Sequence, residues 1–201
     1  MKDTLAKYLP EKSVDPVVEL IRGQDLHFRI SKPRKTKLGD YRSPQRRGPH
    51  KISVNGDLNR YSFLITFLHE YAHLLTYSNH KRKVDPHGPE WKYEFGKLLT
   101  RFLAMNIFPD DIAAELHALI DDPSAGHYSN ASLAEVLHRY DQTEHTLLQD
   151  LEAGTPFTIS GKRAFVKGEL ARSRYRCRSL DNNKMYFVHK LAPVRVLKQN
   201  N

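Results

Sequence analysis

The stretch FLITFLHEYAHLLTY, Phe63–Tyr77, is apolar at most positions, yet two histidines and a glutamate sit at its centre. It contains neither glycine nor proline, and a segment apolar on nearly every side predicts a helix buried all round. On such a helix His69 and His73, four residues apart, project from the same face. Glu70 follows the first of them, giving H-E-x-x-H, the pattern in which two imidazoles bind zinc and the carboxylate serves as general base. Ionisable groups among Phe63, Leu64, Leu68, Leu74 and Leu75 are costly without a partner. One zinc ion, Zn2+, is the partner this spacing predicts. Neutral imidazole ligands leave the metal its charge, so that it can acidify a water, and a neighbouring carboxylate can take that proton.

A catalytic zinc keeps three protein ligands and one open position, so a further donor is required. The metzincin extension would need glycine at position 76 and histidine at position 79. Thr76 and Asn79 stand there and exclude that class. His80, one residue beyond, falls in a basic loop. The remaining donors are His87, in DPHGPEW, and Glu90 and Glu94 on the helix expected from about Pro89. Pro86 and Gly88 flank His87 and favour a sharp turn that would fold it back over the first helix.

Upstream, residues 3–22 predict one or two short helices broken by Pro10 and Pro16. LHFRISK alternates as a half-buried strand does. PRKTKLGDYRSP holds a Gly-Asp turn signal and a second short strand, and HKISVNGDL a third, with Ile52 and Val54 on one face. Asp57 or Asn59 is placed to cap the helix that follows. Downstream, PEWKYEFGKLLTRFLAMN spaces Trp91, Phe95, Leu98, Leu99 and Phe102 helically. Two acidic amphipathic helices follow, DDIAAELHALID and SLAEVLHRYD. From about Thr155 short alternating runs appear: PFTIS, AFVKG, SRYRCRSL, KMYFVHKL and PVRVL. A turn at Asp181-Asn182-Asn183 is placed to join the third and fourth as a hairpin.

The predicted class is therefore α+β. Three parts are expected: a core over 1–108 with a three-stranded sheet and the H-E-x-x-H helix, an acidic helical segment over 109–152, and a small basic β-rich module over 153–201. Tyr175, Met185, Phe187 and Val188 are expected to hold that module together. No apolar run reaches the roughly 20 residues of a membrane span, and no secretory signal is visible at the N-terminus. One cysteine, Cys177, excludes an intrachain disulfide and a Cys-Cys metal knuckle. A cytoplasmic location is expected.

The formal net charge is +9, unevenly spread. Basic residues concentrate between Arg29 and Lys51 and beyond Lys162, whereas Asp110 to Glu152 is acidic. Such asymmetry favours a polyanion as partner. Candidate nucleic-acid contacts are Lys32, Arg34, Lys35 and Lys37, and then Arg174, Arg176 and Arg178, which alternate on one strand face with Tyr186 available for stacking. The arginine stretch also reads as an ordinary solvated face, and the basic segment from Lys32 as a lining of the substrate cleft that favours acidic peptides.

KPRKTKLGDYR, HKISVNGDLNRY, FLITFLHEYAHLLTY and PHGPEW, together spanning about Leu26 to Phe102, resemble the SprT-like zinc metalloproteases. That group is related to the catalytic domain of Spartan-type DNA–protein crosslink proteases. The resemblance implies a small zincin-like domain in which His69, His73 and His87 hold the zinc and Glu70 is the catalytic base. It also implies an edge strand within His50 to Asn55, with Ile52, Ser53, Val54 and Asn55 pairing with an extended protein or peptide substrate. DNA is the implied partner. Tyr77, His80 and Arg82 are candidates for an additional electrophile. The chain departs from many such proteins in lacking the two cysteine pairs of a C-terminal zinc ribbon, so no second zinc is expected.

The leading expectation is a zinc-dependent endopeptidase acting on DNA-associated or DNA-crosslinked proteins. The rival is a non-catalytic or rarely active nucleic-acid-associated regulatory protein, linked to transcription, that keeps zinc for stability. Glu70 weighs against the rival, because a purely structural site has no use for a base.

Overall fold

Two hydrophobic clusters, each closed within its own stretch of chain, organise the protein. A computed structural model describes residues 1–34, 36–45, 48–80, 84–121, 131–141, 146–159 and 163–197. The chain divides into Met1–Asp141 and Gln142–Asn201. The two acidic helices thus belong to the first unit, and the stretch from residue 142 onward goes with the strands that follow.

The first unit begins with α1 (Lys2–Leu5), a 3-10 turn (Glu11–Ser13) and α2 (Val14–Arg22). Pro10 separates the helical pieces as expected. Pro16 does not break α2, because it sits in the first turn, where no backbone donor is required. Three strands follow, β1 (Leu26–Ser31), β2 (Gly39–Arg42) and β3 (His50–Asn55), and then α3 (Arg60–His80). Asn59 caps α3: its Oδ1 accepts the Ser62 amide at 2.8 Å. Its Nδ2 donates to the Leu137 carbonyl at 2.8 Å, which ties in the last helix of the unit. After α3 come α4 (Pro89–Leu103), α5 (Asp110–Asp121) and α6 (Ala131–His138).

The sheet order is β1-β3-β2, with β3 parallel to β1 and antiparallel to β2. This corrects the expected edge strand. His50–Asn55 is the central strand, paired on both sides, and Ile52, Ser53, Val54 and Asn55 are all buried. Their backbone groups serve the ladder, so they are not available to a substrate. Pattern alone does not reveal strand order, because a central strand and an edge strand alternate alike. Ile52 and Val54 join Phe28 and Ile30 on the inner face, where Phe28 meets Phe63 and Phe67 of α3 edge-on at 6.5 and 5.5 Å. Phe63, Leu64, Ile65, Phe67 and Leu68 are all buried, so α3 runs through the unit as its central element.

The second unit is an antiparallel sheet of β4 (Pro156–Ile159), β5 (Arg163–Ala171), β6 (Arg174–Ser179), β7 (Met185–His189) and β8 (Arg195–Val196), in the order β7-β6-β5-β4-β8. Its core is Leu148, Phe157, Phe165, Cys177 and Val194, with Tyr175, Tyr186 and Val188 packed against it. Two expected members of that core are not there. Met185 and Phe187 are 57% and 56% exposed. Register explains it: Tyr186 and Val188 pair with the inward Cys177 and Tyr175, which turns Met185 and Phe187 outward. A buried lysine occupies the inner face as well. Lys167 donates to the carbonyls of Gln149 (3.0 Å) and Leu151, and its ammonium lies 4.0 Å from the centre of the Tyr175 ring.

Candidate metal centre

His69 and His73 lie one turn apart on α3, and His87 comes from the loop before α4. His87 has φ 61°, in the left-handed region that a non-glycine residue rarely enters. That turn brings its ring back over α3. Its Nε2 lies 3.1 Å from Nε2 of His73 and 3.1 Å from Nε2 of His69. One ligand atom from each of the three histidines falls within 4.8 Å of the others.

The donor set fits a metal. Ligands held at zinc–nitrogen distances in a tetrahedron stand about 3.3 Å apart along each edge, close to the separations seen here. Burial pushes the His73 imidazole down to about 4, with the His87 ring adding to the effect. Burial also lowers His87. Both rings are thereby kept neutral, the form in which imidazole ligates. Glu90 and Glu94 are not part of the group. Glu94 is buried and accepts instead from Asn79 Nδ2 at 3.0 Å.

Trp91 supports all three rings. Its indole centre lies 4.6 Å from His69, 5.3 Å from His73 and 4.6 Å from His87. Helical spacing marked Trp91 as a core residue of α4, and the family resemblance included it in the PHGPEW stretch without giving it a role. Its position four residues after His87, on the first turn of a helix entered through Pro89, was the available signal.

Glu70 is 6% exposed. Burial lifts its carboxyl to about 7, and the nearby Asp40 charge adds to the rise. The Tyr41 amide hydrogen bond and the Arg34 and Lys37 charges oppose it. The glutamate is also confined by Gly39. A β-carbon built at that residue would approach Glu70 Cγ to 2.7 Å and Thr66 Cγ2 to 2.8 Å, besides meeting Glu70 Oε1. Only glycine lets β2 lie this close to the carboxylate. Strand β2 is thus the sheet edge beside the centre, which periodicity did not reveal.

Tyr41, on β2, stacks on His73 with ring centres 6.1 Å apart and planes 11° apart. Its hydroxyl lies 2.9 Å from His50 Nδ1. Burial raises the phenol well above its ordinary range and lowers His50, so the two are neutral partners in this hydrogen bond. A cavity of about 530 Å³ opens beside His73, lined by Tyr41, Thr76, Tyr77, Pro86 and Trp91 among others. Of the candidate electrophiles, Tyr77 reaches this cavity and His80 is exposed at the end of α3. Arg82 lies outside the described residues.

The expected nucleic-acid residues divide. Arg34 is turned onto the sheet, donating through Nε to Asn55 Oδ1 (2.8 Å) and through Nη1 to Ser53 Oγ (3.0 Å). Lys37 is paired with Asp40 at 2.6 Å. Lys32 is exposed, and Lys35 lies outside the described residues. Arg174, Arg176 and Arg178 are exposed along β6, opposite His189, Phe187 and Met185 of β7. The aromatic ring among them is therefore Phe187, 5.8 Å from the Arg176 guanidinium. Tyr186 instead packs edge-on against Phe165 on the inner face.

Residues 9–102 match the model of the SprT-like family. No curated protein and no solved structure gives a significant match to the chain. No helix among the described residues is long and apolar enough to cross a membrane.

Proposed function

With residues 9–102 belonging to the SprT-like family, we propose that the first unit is a zinc-dependent endopeptidase of zincin type. The observation that carries this is the convergence of three imidazole Nε2 atoms at 3.1 Å contacts beside a buried glutamate. His69, His73 and His87 would hold one zinc ion, which when bound supplies Lewis-acid chemistry to a water and to a carbonyl oxygen. Glu70 takes the proton of the attacking water and returns it to the leaving amine. Burial lifts that carboxyl in the metal-free protein, and a bound cation would draw it back towards the ionised form that accepts a proton. Gly39 and the Tyr41 amide hold that carboxylate in place.

The peptide is proposed to lie along β2. Leu38 accepts from the Asn55 amide, so alternation points the backbone groups of Gly39 and Tyr41 away from β3; the Tyr41 amide is taken by Glu70, which leaves both groups of Gly39 and the Tyr41 carbonyl for a peptide. Main-chain pairing at such an edge reads little of the substrate's side chains. Selectivity then has to come from location, and a nucleic-acid partner is the source we favour. The arginines of β6 with Phe187 between them offer phosphate contacts and a stacking ring. The proposed substrates are proteins associated with or crosslinked to DNA.

The test is cleavage of a basic, DNA-binding protein with and without DNA, by zinc-loaded full-length chain and by Glu70→Gln. Cleavage is expected to need Glu70, to stop on chelation and to rise with DNA. A zinc-loaded chain that binds DNA yet cleaves nothing would replace this reading with the regulatory one. Cleavage indifferent to DNA would remove the nucleic-acid part alone.

A further inference from the structure

The face of the first sheet turned away from α3 carries an unbalanced set of cations. Alternation places His27 and Arg29 of β1, Lys51 of β3, and Asp40 and Arg42 of β2 on this side. Register aligns them. Lys51 stands opposite His27 on one side and Arg42 on the other, so a row of three basic side chains crosses the whole sheet. The next row is Arg29, Ser53 and Asp40. Like charges directly opposite each other in an antiparallel pair are destabilising, and Lys51 and Arg42 are such a pair.

The protein does little to neutralise this row. Asp40, the one carboxylate of the two rows, is already shared between Lys37 at 2.6 Å and Arg42 at 2.9 Å. Arg34 adds a further positive charge, held in a fixed orientation by the side chains of Asn55 and Ser53 and by the carbonyls of Leu38 and Ser53. Among the described residues no ion pair or side-chain hydrogen bond engages Arg29 or Lys51. A cavity of about 290 Å³ opens here, lined by His27, Arg29, Arg34, Asp40, Arg42 and Lys51 among others. Four permanent cations face one carboxylate around a concave surface.

We propose that this cavity is an anion site that takes a phosphate group. A tetrahedral phosphate matches the need, as a free dianion or as neighbouring monoanionic phosphodiesters: several oxygens to share among guanidinium and ammonium donors, and enough charge to offset the repulsion along the row. The immobilised Arg34 supplies a fixed positive charge, while Arg29 and Lys51 donate to the anion from the two neighbouring strands. The site lies on the opposite face of the sheet from the histidine centre and goes beyond the peptidase reading. Its binding readouts stand or fall without any measurement of cleavage.

The experiment uses full-length, metal-loaded protein freed of excess ion, titrated with sodium phosphate or with a short single-stranded oligonucleotide. Sodium chloride at matched ionic strength is the control. Phosphate is expected to raise the thermal midpoint above the chloride control by about 3 °C or more at saturation. Lys51→Thr and Arg29→Thr, exposed strand positions where threonine is well accommodated, are each expected to weaken binding at least about tenfold. Without anion and at low salt, Lys51→Thr is expected to unfold about 1–3 °C higher than the parent protein, because the like-charge row is relieved. That opposite pair of signs is not expected of a lysine with a merely structural role. Lys51-dependent binding of the oligonucleotide but not of free phosphate would identify the source as a nucleic-acid backbone, and the reverse a small phosphate compound. Either supports the site. A response equal to that of chloride, or unchanged in both variants, would overturn it.

Discussion

The two units bury charged or ionisable groups in opposite ways. In the first, His69 and Glu70 are 3% and 6% exposed, and three imidazole nitrogens from two elements converge on one another. In the second, Lys167 is 5% exposed, and its charge is absorbed by the carbonyls of Gln149 and Leu151 and by the face of Tyr175. The lysine is complete within the protein. It holds the 147–151 segment to the sheet with a cation the chain itself provides. The histidines instead bring together donors of one kind, an arrangement that gains most from an added cation. The difference separates a buried polar group that supports a fold from one that prepares for a ligand.

The largest effect is expected at the histidines. His87→Ala should reduce bound metal from one ion per chain to near none, an affinity loss above about 100-fold, the upper end of what outer-shell changes alone cost. Metal analysis of purified full-length protein measures this. Undiminished metal would remove His87 from the ligand set and weaken the contrast between the units.

Lys167→Met tests the other side. It leaves two partly buried carbonyls without their donor, and the second unit should lose about 1–3 kcal/mol in urea unfolding. Metal content should not change. If stability were unaffected, the lysine would not be the clip described above.

Gly39→Ala sharpens the comparison inside the first unit. The added methyl must displace Glu70 or Thr66, and overpacking of this kind costs about 1–3 kcal/mol. Under the proposed reading, cleavage rate should fall further than metal affinity. Equal losses in both would point to general loosening of α3. The smallest effect is expected from Phe187→Ala, whose ring is more than half exposed: stability should stay within about 0.5 kcal/mol of the parent. A larger loss would mean that this ring is packed against something in solution.

Much of this was legible in the sequence because it depends on short-range periodicity. The spacing of His69 and His73 on a largely apolar helix, the three short strands before it, the helical face of Trp91 to Phe102 and the β6–β7 hairpin all follow from local pattern, and each element is present. The Gly39-Asp40 turn signal misleads, because both residues pair with β3 inside β2. Even His87 was marked, since Pro86 and Gly88 permit the turn its backbone makes. Other features depend on which segments lie side by side. That β3 is central and β2 the edge beside Glu70 comes from pairing order, to which alternation is blind. Phe187 rather than Tyr186 faces outward with the arginines because register across β6 and β7 fixes the parity. Arg34 looked like a surface cation and is a donor to Asn55 and Ser53, twenty or so residues away in the chain. Local sequence determined which residues share a helix face or a strand face. Tertiary structure alone decided what each face meets, because hydrogen-bond partners, burial and charge balance are properties of neighbours in space.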